Sequence, residues 1–359
     1  RRSPLVIRST RWLSAICSTA VRAWGKSSIG CSSISRPAEI SSEITEAGTL
    51  PLQLNGALFL SLIDGFVPAP ADTFTIVTSN QPIEGAFGGR TSGSRVNVPG
   101  SGSFEIHYGV GSPFDPNSVV LTNFSTVPAS AVVYADDSAT GGNNGSSWTD
   151  AFTDLAVANN VAQPGDEVWV AAGLYKPTTT SDRRVRIVLK DLVAIYGGFV
   201  GGETMREERN PDPLTNGTVI SGDIGTVQAP AQSVNVITST RNPAGTILDG
   251  FEIRDGLANA QDQSRGGGLE CIEGTEVTIA NCHFTNHGAS LRGGAVAIDT
   301  STPTFVNCTF TLNDGGFRGG GVWVYLSNAS FTGCRFENNS ASRGGGLFID
   351  SGAPMMLDC

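Results

Sequence analysis

The chain is 359 residues long, with 23 Lys and Arg against 33 Asp and Glu, for a formal net charge of −10 and only 16% charged residues. An acidic body of this kind lacks the cationic footprint on which nucleic-acid affinity rests, so no nucleic-acid partner is expected. No apolar run reaches the ~18 residues a spanning helix needs, so no membrane span is expected in this segment.

Residues 1–36 hold seven Arg or Lys and no acid, so residues 37–359 carry the whole acidic excess. Neither a period of 2 nor one of 3.6 persists over residues 1–48, which are left unassigned and expected to be disordered. The stretch from Trp12 to Trp24 imitates a signal peptide, but it is Ser-rich and interrupted by Arg22. From residue 49 to 125 the pattern becomes that of a smaller β-rich module. Apolar runs Leu58–Ile63, Phe74–Val77, Val96–Val98, Phe104–Tyr108 and Val119–Leu121 alternate with Gly, Pro, Ser and Asn, and Asp64-Gly65 signals a turn. Residues 126–131 read as a linker.

The next unit spans 132–359. Ser147-Trp-Thr-Asp150 is a plausible helix start with Ser147 as cap, and Phe152, Leu155 and Ala156 share a helical face before Pro164-Gly165. A helix of about three turns fits a lid over an open β-stack. Strands are expected at Glu167–Val170, Val185–Leu189 and Val193–Ile195. Ile195-Tyr-Gly-Gly-Phe199, Ile220-Ser-Gly-Asp-Ile224 and Leu248-Asp-Gly-Phe251 suggest a period that begins here.

From Arg265 the period is explicit. Arg265-Gly-Gly-Gly-Leu269, Arg292-Gly-Gly-Ala-Val296, Arg318-Gly-Gly-Gly-Val322 and Arg343-Gly-Gly-Gly-Leu347 start 27, 26 and 25 residues apart. Cys282, Cys308, Cys334 and Cys359 follow at 26, 26 and 25, with Phe284, Phe310 and Phe336 two residues after the first three. Leu is too scarce for leucine-rich repeats, and the Gly, Thr and Val content is wrong for helical repeats. What remains is an all-β fold, a right-handed parallel β-helix with three strands per coil and about seven coils. Each coil stacks ~4.8 Å above the last, so that like residues pile into inward columns. The pattern stops inside a unit at Cys359, so the repeat is expected to continue beyond it.

These units resemble the repeat of the chlamydial polymorphic outer membrane proteins. Their Gly-Gly-Ala-[Ile/Leu/Val] box is matched by Gly293-Gly-Ala-Val296, and with Gly for Ala at 266–269, 319–322 and 344–347. Their Phe-x-x-Asn box is matched by Phe310-Thr-Leu-Asn313 and Phe336-Glu-Asn-Asn339, while Phe284-Thr-Asn286 departs by one position. Residues 132–225 look like the capping start of pectin-lyase-like β-helices in giant bacterial surface proteins. The resemblance covers about a quarter of the chain. It implies a β-helix and an extracellular or outer-membrane-associated setting, and no reaction.

Many β-helix proteins act on polysaccharides, which requires an acid pair, or a Ca²⁺-binding acid cluster with a base, on one outer face. Asp223, Asp249, Asp255, Glu270 and Asp299 are scattered, no Lys lies between Lys190 and Cys359, and these acids are read as turn residues. The column Arg265, Arg292, Arg318 and Arg343 reads first as structural, since stacked guanidiniums repel and call for nearby acids or carbonyl oxygens, and it is also the candidate ligand-binding feature, a stripe for an anionic glycan. Asn313 and Asn339 are read as a structural ladder, and Cys282, Cys308, Cys334, Cys359, Phe284, Phe310 and Phe336 as packing columns, the cysteines as free thiols. Cys271, Cys282, His283 and His287 imitate a zinc set. Strand alternation separates Cys282 from His283, so no metal is expected, and no cofactor. The expected function is a non-enzymatic structural or adhesive surface or secreted protein, with polysaccharide or a host or neighbouring cell surface as partner. The alternatives are a polysaccharide-active lyase or hydrolase and a glycan-binding module.

Overall fold

The computed structural model describes residues 13–18, 33–34, 52–54, 57–62, 67–87, 90–98, 101–126, 131–225, 231–260 and 264–359. Strands Leu13–Ser18 and Ser33–Ile34 fall within the segment to which no structure was assigned, and the rest of 1–48 lies outside the described residues. So do the Asp64-Gly65 turn and residues 127–130 of the linker. Two compact units separate. One comprises 1–134, 140–151 and 161–166, and the other 135–139, 152–160 and 167–359.

The first unit is built on a four-stranded antiparallel sheet in the order Phe74–Thr78, Ser118–Ser125, Gly102–His107, Arg95–Val98. Alternation along these strands buries Val96, Phe104, Ile106, Val119 and Leu121 in one cluster. Phe104 packs edge-on against Phe74 at 5.5 Å. A buried ion pair joins Arg90 to Asp166, whose other oxygen accepts from the Ala131 amide at 3.0 Å.

The second unit is a right-handed parallel β-helix. Its first sheet stacks Glu167–Ala171, Ala194–Phe199, Ile247–Asp249, Thr278–Ala280, Thr304–Val306, Ser330–Thr332 and Met355–Leu357. The second sheet stacks Gly173–Tyr175, Thr218–Ser221, Glu252–Arg254, His283–Thr285, Thr309–Thr311 and Arg335–Glu337. The third stacks Ile187–Val188, Ile237–Thr240, Leu269–Ile272, Val296–Asp299, Val322–Tyr325 and Leu347–Ile349. Among the described residues six coils therefore carry all three strands, and the last first-sheet strand opens a seventh.

Register delivers the columns. Phe284 pairs with Phe310 and Phe310 with Phe336, and the rings stack at 5.3 and 4.8 Å with interplanar angles of 10° and 12°. Phe305 and Phe331 do the same in the first sheet at 5.0 Å. Edge contacts at 6.0 Å join the two aromatic columns across the interior. The first glycine of each Arg-Gly-Gly box bends the chain into the third sheet. At Gly293, φ is +61°, and a Cβ would lie 2.2 Å from the Val296 carbonyl oxygen, so no other residue fits without strain.

Two sequence expectations need correction. Ile195, Ile220 and Leu248 do not stand one coil apart: Ile195 pairs with Leu248 in the first sheet, whereas Ile220 pairs with Ile253 in the second. The long 200–217 connection, added to the strand residues on either side, separates Ile195 from Ile220 by about one repeat and so mimics a period. The helix is also shorter and later than expected. It spans Leu155–Val161 and is capped by Asp154, whose Oδ1 accepts from the Ala156 and Val157 amides at 2.8 and 3.3 Å. Ser147 closes a turn on Asp150 instead, its Oγ accepting from the Asp150 amide at 3.1 Å. Within the second unit the helix lies against the first coil, where Asn159 donates to the Val188 carbonyl at 2.8 Å and Lys190 donates to the Asn160 carbonyl at 2.8 Å.

Candidate functional site

The arginine column borders the outer face of the third sheet. Consecutive members pair as isolated parallel bridges, so the four stand in register on successive coils. Strand alternation sends Glu270, Ala297, Trp323 and Phe348 outward in one column, with Asp299 and Tyr325 in the next. The long arginine side chains fold over this face.

They are not equivalent. Arg265 donates to Glu270 at 2.9 Å and to Asp299 at 2.5 Å. Burial opposes its charge, but these two carboxylates outweigh burial and hold its pKa above the usual arginine value. Arg318 pairs with Asp350, which also accepts from the Trp323 indole N–H at 3.4 Å. Arg292 contacts the Trp323 ring, 4.8 Å from its centroid, and Arg343 lies 5.3 Å from that of Phe317. Trp323 is fully buried although it points outward, roofed by Arg292 and flanked by Tyr325, stacked at 5.6 Å. Phe317 and Tyr325 remain exposed at 42% and 38%. The alternation Val322-Trp-Val-Tyr325 is the sequence signal for Trp323 and Tyr325 on the outer face, while Phe317, outside any strand, has none.

A second set of polar groups forms a ladder inside the turn after the second sheet. Asn339 Nδ2 donates to the Phe310 carbonyl at 2.8 Å, and Asn313 Nδ2 donates to that of Phe284 at 3.0 Å. Asn339 Oδ1 accepts from the Asn313 amide at 3.1 Å and Asn313 Oδ1 from the His287 amide at 3.0 Å. His287 continues the series one coil below. Its Nδ1 accepts from the Gly256 amide at 3.0 Å and its Nε2 lies 2.9 Å from the Ile253 carbonyl. This geometry assigns the neutral tautomer with the proton on Nε2. Burial pulls the His287 pKa down to about 4, against the smaller opposing effects of the Ile253 carbonyl and the Asp255 carboxylate. Nor is there room above Gly268 for a side chain, since a Cβ there would stand 2.7 Å from Nε2. The signal was available: His287 precedes Asn313 by 26 residues, the interval that separates Asn313 from Asn339.

Cys282, Cys308, Cys334 and Cys359 line the corner between first and second sheets as free thiols, whereas Cys271, also free, lies within the third-sheet strand Leu269–Ile272. Cys282, Cys308 and Cys334 are buried, and each Sγ–H points at carbonyls of its own and the preceding coil, as with Cys308 to Val306 at 3.5 Å and Ile279 at 3.4 Å. Burial pushes the Cys282 thiol up to about 12 and raises Cys271 and Cys308 as well. Cys359 is exposed. His283 turns outward to Thr311 Oγ1 at 2.6 Å, so the four residues that imitate a zinc set face different surroundings. Among the described residues no group of three or more His, Cys, Asp or Glu gathers as a metal site.

The reading of the scattered acids as turn residues holds only for Asp223 and needs correction for Asp249 and Asp255, which reach side chains of neighbouring coils and connections because the stacking brings them within hydrogen-bond distance. Asp249 takes Arg209 at 2.8 Å and Asn281 at 2.9 Å, Asp255 takes Ser221 at 3.1 Å and Asn286 at 2.7 Å, and Asp223 accepts from the Gly225 amide at 3.3 Å. The 200–217 connection arches beside Asn281 and Asn307. With Pro211, Pro213 and Leu214 it encloses a shallow cavity of about 230 Å³. No helix among the described residues is long and apolar enough to cross a membrane.

No curated protein matches the chain. One solved structure, "Crystal structure of pectate lyase Pel9A", aligns at 19% identity over 64% of this chain and 52% of that one, with a TM-score of 0.42. The chain thus spans about half the length of that protein. The family described as "Right handed beta helix region" matches residues 227–359, the stretch that holds the regular coils. The chain is an all-β protein whose second unit is a right-handed parallel β-helix.

Proposed function

We propose that this chain is a non-enzymatic structural or adhesive segment of a bacterial surface or secreted protein, with the solenoid as a rigid stalk that presents its third-sheet face. The observation that carries this reading is the fate of the reactive side chains. Cys282, Cys308 and Cys334 bond coil carbonyls, His287, Asn313 and Asn339 bond the preceding coil, and Glu270, Asp299 and Asp350 are each held by a guanidinium. Carboxyl groups clamped in this way serve coil-to-coil cohesion, whereas a general acid needs a carboxyl free to carry and deliver a proton. A stack in which every layer repeats the bonds of its neighbour suits a mechanical or presenting role.

Incubating the purified chain with a panel of polysaccharides and measuring new reducing ends and unsaturated products tests this. No product should form. Turnover that Asp299→Asn or Asp350→Asn abolishes would establish a catalytic site and overturn the proposal. Antibody labelling of intact and of permeabilised cells that carry the gene should stain both equally, and staining that needs permeabilisation would remove the surface or secreted setting.

A further inference from the structure

We infer that the third-sheet face binds an acidic polysaccharide through two members of the arginine column, Arg292 and Arg343, with Phe317 and Tyr325 as ring platforms. This rests on the presenting role proposed above and names the ligand class for it.

The chain carries a net charge of −10, yet this face sets five guanidiniums, those of Arg186, Arg265, Arg292, Arg318 and Arg343, against the three carboxylates of Glu270, Asp299 and Asp350. A local cationic excess on an acidic protein attracts and orients anions. The carboxylates do not cover it evenly. Arg265 and Arg318 hold all three, while among the described residues Arg292 and Arg343 meet only aromatic rings. A ring beneath a guanidinium fixes its plane and leaves the N–H fork open to a carboxylate or sulfate.

Position adds a second constraint. Arg292 and Arg343 stand two coils apart, roughly 10 Å along the axis by the strand spacing. Two fixed cations on that line suit a polymer with repeated anionic groups lying along the solenoid better than a lone anion. Phe317 and Tyr325, exposed on the coil between them, offer flat apolar surfaces to the carbon face of sugar rings. Stacking of Tyr325 on Trp323 already fixes its plane, which lowers the ordering cost of binding.

The test is affinity electrophoresis and titration calorimetry of the full chain with polygalacturonate, heparin and dextran. Binding to polygalacturonate, to heparin or to both, weakening as salt is added and absent with dextran, is expected, and the arm that binds separates carboxylate from sulfate recognition. The double variant Arg292→Gln/Arg343→Gln should lose about tenfold in affinity, while Arg335→Gln, on the exposed second-sheet side, should not. Should the double variant fail to fold, Phe317→Ser/Tyr325→Ser, which alters only exposed rings, is expected to weaken binding in its place. A wild-type chain that binds neither polyanion, or a folded double variant that binds as tightly as wild type, would show that Arg292 and Arg343 serve ring stacking alone and overturn the inference. Products appearing in the same incubations would count against the non-enzymatic reading and leave this binding result standing.

Discussion

Replacing His287 by Asn should make the β-helix less sensitive to acid. The imidazole is 2% exposed and occupies a place that Asn313 and Asn339 fill on the coils above. Its Nδ1 accepts the Gly256 amide, a bond that protonation would abolish. The folded pKa is about 4, against about 6.5 for an unperturbed histidine. Above pH ~6.5 neither folded nor unfolded chain holds the proton, and the group contributes no pH dependence. As pH falls from 6.5 toward 4 the unfolded chain binds a proton that the folded chain refuses, so stability declines, by about 2 kcal/mol at pH 5 and about 3 kcal/mol in all. Asp255 eases protonation and His283 opposes it, and both stay in place in the variant. A carboxamide can supply the same acceptor and donor without titrating. Urea unfolding of wild type and His287→Asn at pH 7.5 and pH 5 should therefore show the wild type losing about 2 kcal/mol more than the variant. Equal losses in the two proteins, or a resonance assigned to the His287 imidazole of the folded protein titrating near 6.5, would refute the ladder assignment.

Phe310 is stacked on both faces and met at its edge, so Phe310→Ala should destabilise the second unit by about 3–5 kcal/mol in urea or thermal unfolding. Asn313→Leu strips partners from the His287 amide and the Phe284 carbonyl, and a loss of about 2–4 kcal/mol is expected in the same assay. Gly293→Ala places a methyl against the Val296 carbonyl at positive φ, and its thermal midpoint should fall well below that of Ala297→Gly in the same coil. Thiol alkylation of native protein, mapped by peptide mass spectrometry, should modify Cys359 and spare Cys271, Cys282 and Cys308, which react only after unfolding.

The regular coils were legible because they contain almost nothing but the repeat. Between Arg265 and Cys359 the connections are uniform, so Phe284, Phe310 and Phe336 fall into one register by counting alone. Between Ile195 and Leu248 counting fails, because the 200–217 insertion lengthens one coil without interrupting its stack, and only backbone pairing shows which strand lies on which. The helix start was misplaced for a related reason. Both Ser147 and Asp154 are competent caps, and the choice falls to the one whose following residues can bury against the first coil.

What the sequence determined by itself is the periodic part: parallel stacking, three strands per coil, and the columns of Cys, Phe and Asn, since identical residues at a fixed interval can satisfy one another only in adjacent layers. Folding in three dimensions decided how side chains off the period are spent. It made His287 a ladder rung, buried the outward-facing Trp323 beneath arginine, and gave carboxylates to two members of one uniform arginine column while, among the described residues, the other two meet rings alone. Those outcomes depend on where long side chains reach across two coils and on which carboxylate lies within a few ångströms, distances that chain spacing alone does not encode.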